Sequence, residues 1–157
     1  MKKRADNYHS VTALLLFISR RSRLDIQTSV AYLCTRVTKP NEDDWKKLKR
    51  VLQYLRGTID LVLTLGADDI ANMQAWVDVA YAVHKDCKSH TGGVMSWGWR
   101  VVLSMCKKQK LNTKSSTESE IVGVSDYLPN VIWGKCFWKL KATKSRRILS
   151  TRIIKPR

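Results

Sequence analysis

Asp78 stands alone in an apolar run, Trp76-Val77-Asp78-Val79-Ala80, and two further acids, Glu118 and Glu120, follow Ser115-Ser116-Thr117. A carboxylate in the middle of a buried strand is costly unless it is paired or holds a cation. Carboxylates from a strand and the first turn of a nearby helix can converge on Mg²⁺, a hard ion that prefers oxygen ligands. The plainer alternative puts Asp78 in solvent on a half-exposed sheet and leaves Glu118 to complement a helix dipole. Lys107, Lys108, Lys110 and Lys114 lie between these acids in sequence. They suit either phosphate contact or a solvated face. His84, Cys87 and His90, spaced by three, have the residue types of a transition-metal site, although a polar loop explains them more simply. Trp97 and Trp99, flanking Gly98, have the shape for base stacking, but such pairs more often serve core packing.

The elements that must position these groups fall into two regions. In the first, Ser10 is a cap for a helix carrying Val11, Leu14, Leu15 and Ile18, preceded by a frayed start over residues 1–8. Asp25 caps a second helix with Ile26, Val30, Leu33, Cys34 and Val37 on one stripe, ended by Lys39-Pro40. Asn41 caps a third, whose apolar face is Trp45, Leu48, Val51, Leu52 and Leu55 and which stops at Gly57. Its other face carries Lys46, Lys47, Lys49, Arg50 and Arg56.

The period then shortens. Leu61 to Leu65 and Met73 to Ala80 read as strands, with a turn from Gly66 to Asp69 between them. Thr91 to Trp97 and Trp99 to Met105 form a hairpin, extended by Gln109 to Thr113. Ser116 or Thr117 caps a fourth helix burying Ile121, Val124, Leu128, Ile132 and Cys136, with a kink or break expected at Pro129. No periodic pattern continues beyond Leu140.

Composition narrows the function classes. The 157 residues include 29 Lys and Arg against 13 Asp and Glu, a formal charge of +16 that favours a polyanion such as nucleic acid over a cationic partner. All the acids precede Tyr127; the residues after Asp126 carry nine Lys or Arg and no carboxylate. The longest apolar run, Ala13 to Ile18, is far short of the roughly 20 residues needed to span a bilayer. No secretory signal is expected. Four scattered cysteines without a CxxC pair suit a reducing intracellular compartment, cytoplasmic or nuclear.

Several strings, in one order, resemble the copia-type LTR retrotransposon polyprotein. They are Leu15-Leu16-Phe17-Ile18-Ser19-Arg20-Arg21-Ser22-Arg23-Leu24-Asp25-Ile26, Lys49-Arg50-Val51-Leu52-Gln53-Tyr54-Leu55-Arg56-Gly57-Thr58 and Val77-Asp78-Val79-Ala80-Tyr81-Ala82. Ser89-His90-Thr91-Gly92-Gly93 and Lys108-Gln109-Lys110 with Ser115-Ser116-Thr117-Glu118-Ser119-Glu120 continue the series.

The resemblance implies an α+β chain. Residues 9–57 would be a three-helix, thumb- or connection-like end of reverse transcriptase. Residues 59–140 would be a partial ribonuclease H-like domain of three antiparallel strands and a helix, and 141–157 a basic tail outside the family pattern. It further implies Mg²⁺ ligands at Asp78 and Glu120, with Glu118 as runner-up, acting on the RNA strand of RNA–DNA hybrids. Nucleic acid would be held by Lys46, Lys49, Arg50, Arg56, Lys107, Lys108, Lys110 and Lys114, with upstream polymerase sequence as a possible partner. The family's polymerase palm lies upstream of the matching stretch, and neither Asp43-Asp44 nor Asp68-Asp69 has its hairpin context. The third ribonuclease H aspartate, on a later strand beside the one bearing Asp78, has no counterpart, so that strand edge is expected to be open. Three readings follow: a catalytically inactive binding remnant, an Mg²⁺-dependent ribonuclease H, or an unselected reading frame from a decayed element.

Overall fold

A computed structural model describes residues 2–66, 72–141 and 151–154, the last four and residues 2–3 as backbone only. The chain divides into two units, residues 1–63 and 64–157.

The first unit is helical. α1 spans Lys2–Arg21 and buries Tyr8, Thr12, Leu15 and Ser19 at helical spacing. It therefore begins well before Ser10, whose hydroxyl donates to the Asp6 carbonyl inside the helix instead of capping it. The frayed start is corrected: burial of Tyr8, edge-on to Trp45 with ring centroids 5.3 Å apart, holds the extra turns. Leu14 and Ile18 face outward. A 3₁₀ turn at Leu24–Ile26 leads into α2, Gln27–Cys34, so the expected second helix is split and shorter. Ile26, Val30 and Leu33 are its buried stripe, with Cys34 and Val37 packed alongside.

α3, Glu42–Gly57, follows the sequence pattern closely. Asn41 Oδ1 accepts from the Asp44 N–H at 2.8 Å, and Asp44 Oδ2 accepts from the Asn41 N–H at 3.0 Å, a reciprocal capping box. Leu48 is buried, Trp45, Val51 and Leu55 pack beside it, and Leu52 turns outward.

Arg23 links two of the strings that carry the family resemblance. Its guanidinium donates to both Asp25 oxygens at 2.8 and 3.0 Å, to Thr58 O at 2.8 Å and to Thr58 Oγ1 at 2.6 Å. The Arg23 hydrogen bonds hold the Asp25 carboxyl below its usual range.

The second unit is a sheet with one covering helix. β1 (Met73–Ala80), β2 (His90–Trp97) and β3 (Arg100–Lys108) are antiparallel neighbours, and β4 (Thr151–Ile154) runs parallel to β1 on its far side, giving the order β3-β2-β1-β4. The expected strand at Leu61–Leu65 does not form. Its apolar residues are exposed, so no sheet face rewards the alternation. Gln109 to Thr113 leaves the sheet as well, because Gln109 turns inward and is buried.

α4 spans Ser116–Lys141 without a break. Pro129 lies on its exposed side, where the carbonyl it leaves unbonded can meet water, and Tyr127 and Val131 hold the helix to the sheet on either side. The buried face is Ser119, Gly123, Tyr127, Val131 and Gly134. Of the expected face only Val124 packs on the core, while Ile121, Leu128, Ile132 and Cys136 are exposed. Close approach decides this: a Cβ on Gly93 would lie 2.5 Å from the Tyr127 ring, and one on Gly123 would meet Val79 Cγ2 first.

The expectation of an open β1 edge is corrected too. β4 arises beyond Leu140 and covers the β1 edge from Met73 to Trp76, so the edge expected to be open is half covered. Residues 142–150 and 155–157 of the tail lie outside the described residues, as does most of the expected turn at 66–69.

Candidate functional site

Strand alternation sorts the second unit's residues into two faces. Met73, Ala75 and Val77 of β1 join Met95, Trp97, Tyr127 and Val131 in the core beneath α4. Asp78 therefore lies on the opposite face, exposed, in one cross-strand row with Gly92 and Cys106. The buried-carboxylate premise does not hold for it: water, not desolvation, surrounds this acid.

At the start of α4, Ser115 is the cap, one residue earlier than expected. Its Oγ accepts from the Glu118 N–H at 3.1 Å, while Glu118 Oε2 accepts from the Lys114 N–H at 2.7 Å. Glu118 is thereby engaged in starting the helix. Glu120 is half-buried, one residue after the fully buried Ser119.

Sequence reasoning missed Gln109 as the group that fixes this helix start to the sheet. Its Nε2 donates to Thr91 Oγ1 and to Ser119 O, both at 2.9 Å. Thr91 pairs with Val79, the neighbour of Asp78, and Ser119 is the neighbour of Glu120. One buried amide thus ties the helix start bearing Glu120 to β2, the strand paired with the one bearing Asp78. Its signal was its place inside the Lys108-Gln109-Lys110 string.

The donor set does not fit a pair of Mg²⁺ ions. Among the described residues no group of three or more His, Cys, Asp or Glu side chains could hold a metal. The strand beside β1 reads Thr151-Arg152-Ile153-Ile154, without a carboxylate.

The basic residues of the second unit do not share one face. Lys107 pairs with Asp126 of α4 at 3.2 Å, whereas Lys108, on the other face, donates to Asp86 at 2.6 Å. Lys110 and Lys114 are exposed. On α3, Lys46, Lys49, Arg50 and Arg56 are exposed; Lys46 lies 3.7 Å from Asp43. Arg50 and Lys47 line an open groove of about 360 Å³ with Thr28, Ser29 and Tyr32. Lys47 donates to the Tyr32 hydroxyl at 3.0 Å, which holds the phenol below its ordinary pKa.

Of the histidine and cysteine cluster, His84 and His90 meet, but Cys87 is exposed and Cys106 of β3 takes its place against His90. Trp97 is core, 5.2 Å from Trp138 between ring centroids, so stacking on bases is not open to it; Trp99 is 79% exposed at the hairpin turn. Among the described residues no helix is long and apolar enough to cross a membrane.

The chain is similar to a segment of transposon Pol polyproteins, and this similarity supports a retrotransposon-derived polyprotein region. It is 30% identical over 127 residues to the retrovirus-related Pol polyprotein from transposon RE2 of Arabidopsis thaliana, covering 80% of this chain and 9% of the relative. It is 28% identical over 131 residues to the Pol polyprotein from transposon TNT 1-94 of Nicotiana tabacum, covering 83% of this chain and 10% of the relative. An uncharacterized mitochondrial protein of Arabidopsis thaliana is 28% identical over 128 residues, covering 81% of this chain and 53% of the relative. The chain thus spans about half the length of that mitochondrial protein and about a tenth of each polyprotein. No family model matches, and neither does any solved structure.

Proposed function

We propose that this chain is a remnant of a copia-type reverse transcriptase and ribonuclease H that holds nucleic acid through basic surfaces and does not cleave it. The observation that carries this reading is β4. A strand runs parallel to β1, where the resemblance calls for the third aspartate, and it offers arginine and isoleucine. Among the described residues, Asp78 and Glu120 then have no third carboxylate to share the charge of two metal ions. Losing one such ligand costs several kcal/mol of transition-state stabilisation, and about 1.4 kcal/mol is tenfold in rate.

Binding rests on net charge and on the exposed face of α3. Lys46, Lys49, Arg50 and Arg56 contact phosphates there without reading sequence, and affinity falls steeply with salt as counterions are released.

The test is a labelled RNA–DNA hybrid incubated with Mg²⁺, beside Asp78→Asn and a chelator control, with binding followed at low and high salt. Salt-sensitive binding without cleavage is the expected result. Cleavage that disappears in Asp78→Asn overturns the inactive reading in favour of a ribonuclease H. Absence of binding even at low salt leaves the unselected reading frame.

A further inference from the structure

His84, His90 and Cys106 form a line of side chains that nucleic-acid binding does not use. His84 Nε2 lies 2.9 Å from His90 Nδ1, and His90 Nε2 lies 3.0 Å from Cys106 Sγ. Both imidazoles are buried, 8% and 9% exposed, whereas Cys106 remains partly accessible. The sheet register accounts for the meeting. Gly92 stands opposite Cys106 and His90 opposite Lys108, so His90 reaches the sulfur on the diagonal across the space a glycine leaves. His84 is presented by a tight loop: its N–H donates to Lys88 O at 3.2 Å, and its carbonyl accepts from the Cys87 N–H at 2.9 Å.

We infer that Cys106 is a nucleophilic thiol, with His90 as its base and His84 orienting that base, and that it is modified by soft electrophiles of the α,β-unsaturated carbonyl class. Nucleophile, base and orienter in hydrogen-bonding succession is the arrangement that activates side-chain nucleophiles. His90 carries its proton on Nδ1, donated to His84 Nε2, and turns the Nε2 lone pair to the thiol. Sulfur bonds to the β-carbon as His90 Nε2 takes the thiol proton. The carbon–carbon π pair moves to the α-carbon, which then receives that proton from the imidazolium. Nothing leaves, and no oxidant or reductant is consumed. Burial, and secondarily the neighbouring His84, hold the His90 pKa below its ordinary value, so the ring is neutral at pH 7 and its nitrogen is available.

The experiment is timed labelling of the whole chain with N-ethylmaleimide at pH 7, read cysteine by cysteine by peptide mass spectrometry. Cys106 should label about tenfold faster than the more exposed Cys87 and Cys136. His90→Gln should remove that advantage while leaving Cys136 unchanged, and His84→Gln should reduce it in part. Labelling of Cys106 no faster than Cys136 in the unsubstituted chain overturns the inference. That comparison needs no variant, so a substitution that impairs folding does not obscure it. Equal changes at all cysteines in the His90 variant also count against the assignment.

Discussion

The two units bury their helices by opposite rules. In the helical unit large side chains face inward: Tyr8, Leu15, Ile26, Val30, Leu33 and Leu48 fill a core that apolar spacing largely announces. In the sheet unit the covering helix turns its small residues inward, Ser119, Gly123 and Gly134, and leaves Ile121, Ile132 and Trp133 in water. Core volume there comes from the strands, through Met73, Met95 and Trp97, and from Tyr127 alone among the large side chains fully buried on α4. One region is held by filling space between helices. The other is held by removing side chains so that backbones approach. The lesson is that apolar periodicity measures how greasy a helix face is, not which face a sheet can accept.

That contrast is sharpest where a cavity is made. Leu48→Ala should cost the helical unit about 2–5 kcal/mol, because its neighbours are too large to close the hole. The loss should appear as a lower midpoint in a denaturant melt. Overfilling tests the other rule: Gly93→Ala forces a methyl against the Tyr127 ring and should cost the sheet unit about 1–3 kcal/mol. A variant that melts like the parent would show that close approach does not matter there.

Alkaline titration probes both cores at once. Burial, as the leading cause, pushes Tyr8 and Tyr127 up to about 12 from the ordinary 10.0. The folded state therefore binds the phenolic proton more tightly than the unfolded chain. Their contribution to stability is full below pH 10 and is lost as pH rises from 10 towards 12. Tyr127→Phe should remove that alkaline loss from the sheet unit only, and Tyr8→Phe from the helical unit only, as read by urea melts at pH 9 and pH 11. The smallest effect is a control on the helix face. Ile132→Ala should change stability by less than about 0.5 kcal/mol, while Val131→Ala one residue earlier should exceed it. Similar losses at both positions would break the comparison.

Much of the fold could be read from sequence where local rules act alone. Asn41 with Asp44 spells out a capping box, and Met73 to Ala80 alternates as a strand should. The α1 start was hidden because its anchor is Tyr8 against Trp45, a contact between residues far apart in sequence. The inward face of α4 was hidden for the same reason: only Val79 and the Tyr127–Gly93 contact reveal that glycine is needed. At the candidate site, Asp78 stands out from its apolar run and the resemblance selects Glu120 over Glu118, but no spacing rule indicates the Gln109 bridge between Thr91 and Ser119. Cys106 escaped notice because its partner is a cross-strand diagonal, set by register and not by distance along the chain.

The parallel pairing of β4 with β1 has a consequence for the order in which the second unit folds. Met73 and Thr151, the first pair of that ladder, are separated by almost the whole second unit. Pairing β1 with β4 must close a loop that contains β2, β3 and α4. The hairpins, with short loops to close, can zip first. Until β4 docks, the Met73–Trp76 edge is unpaired, a template for any passing strand. β4 is therefore a late seal, and the interval before it docks is the second unit's period of greatest risk of misassembly.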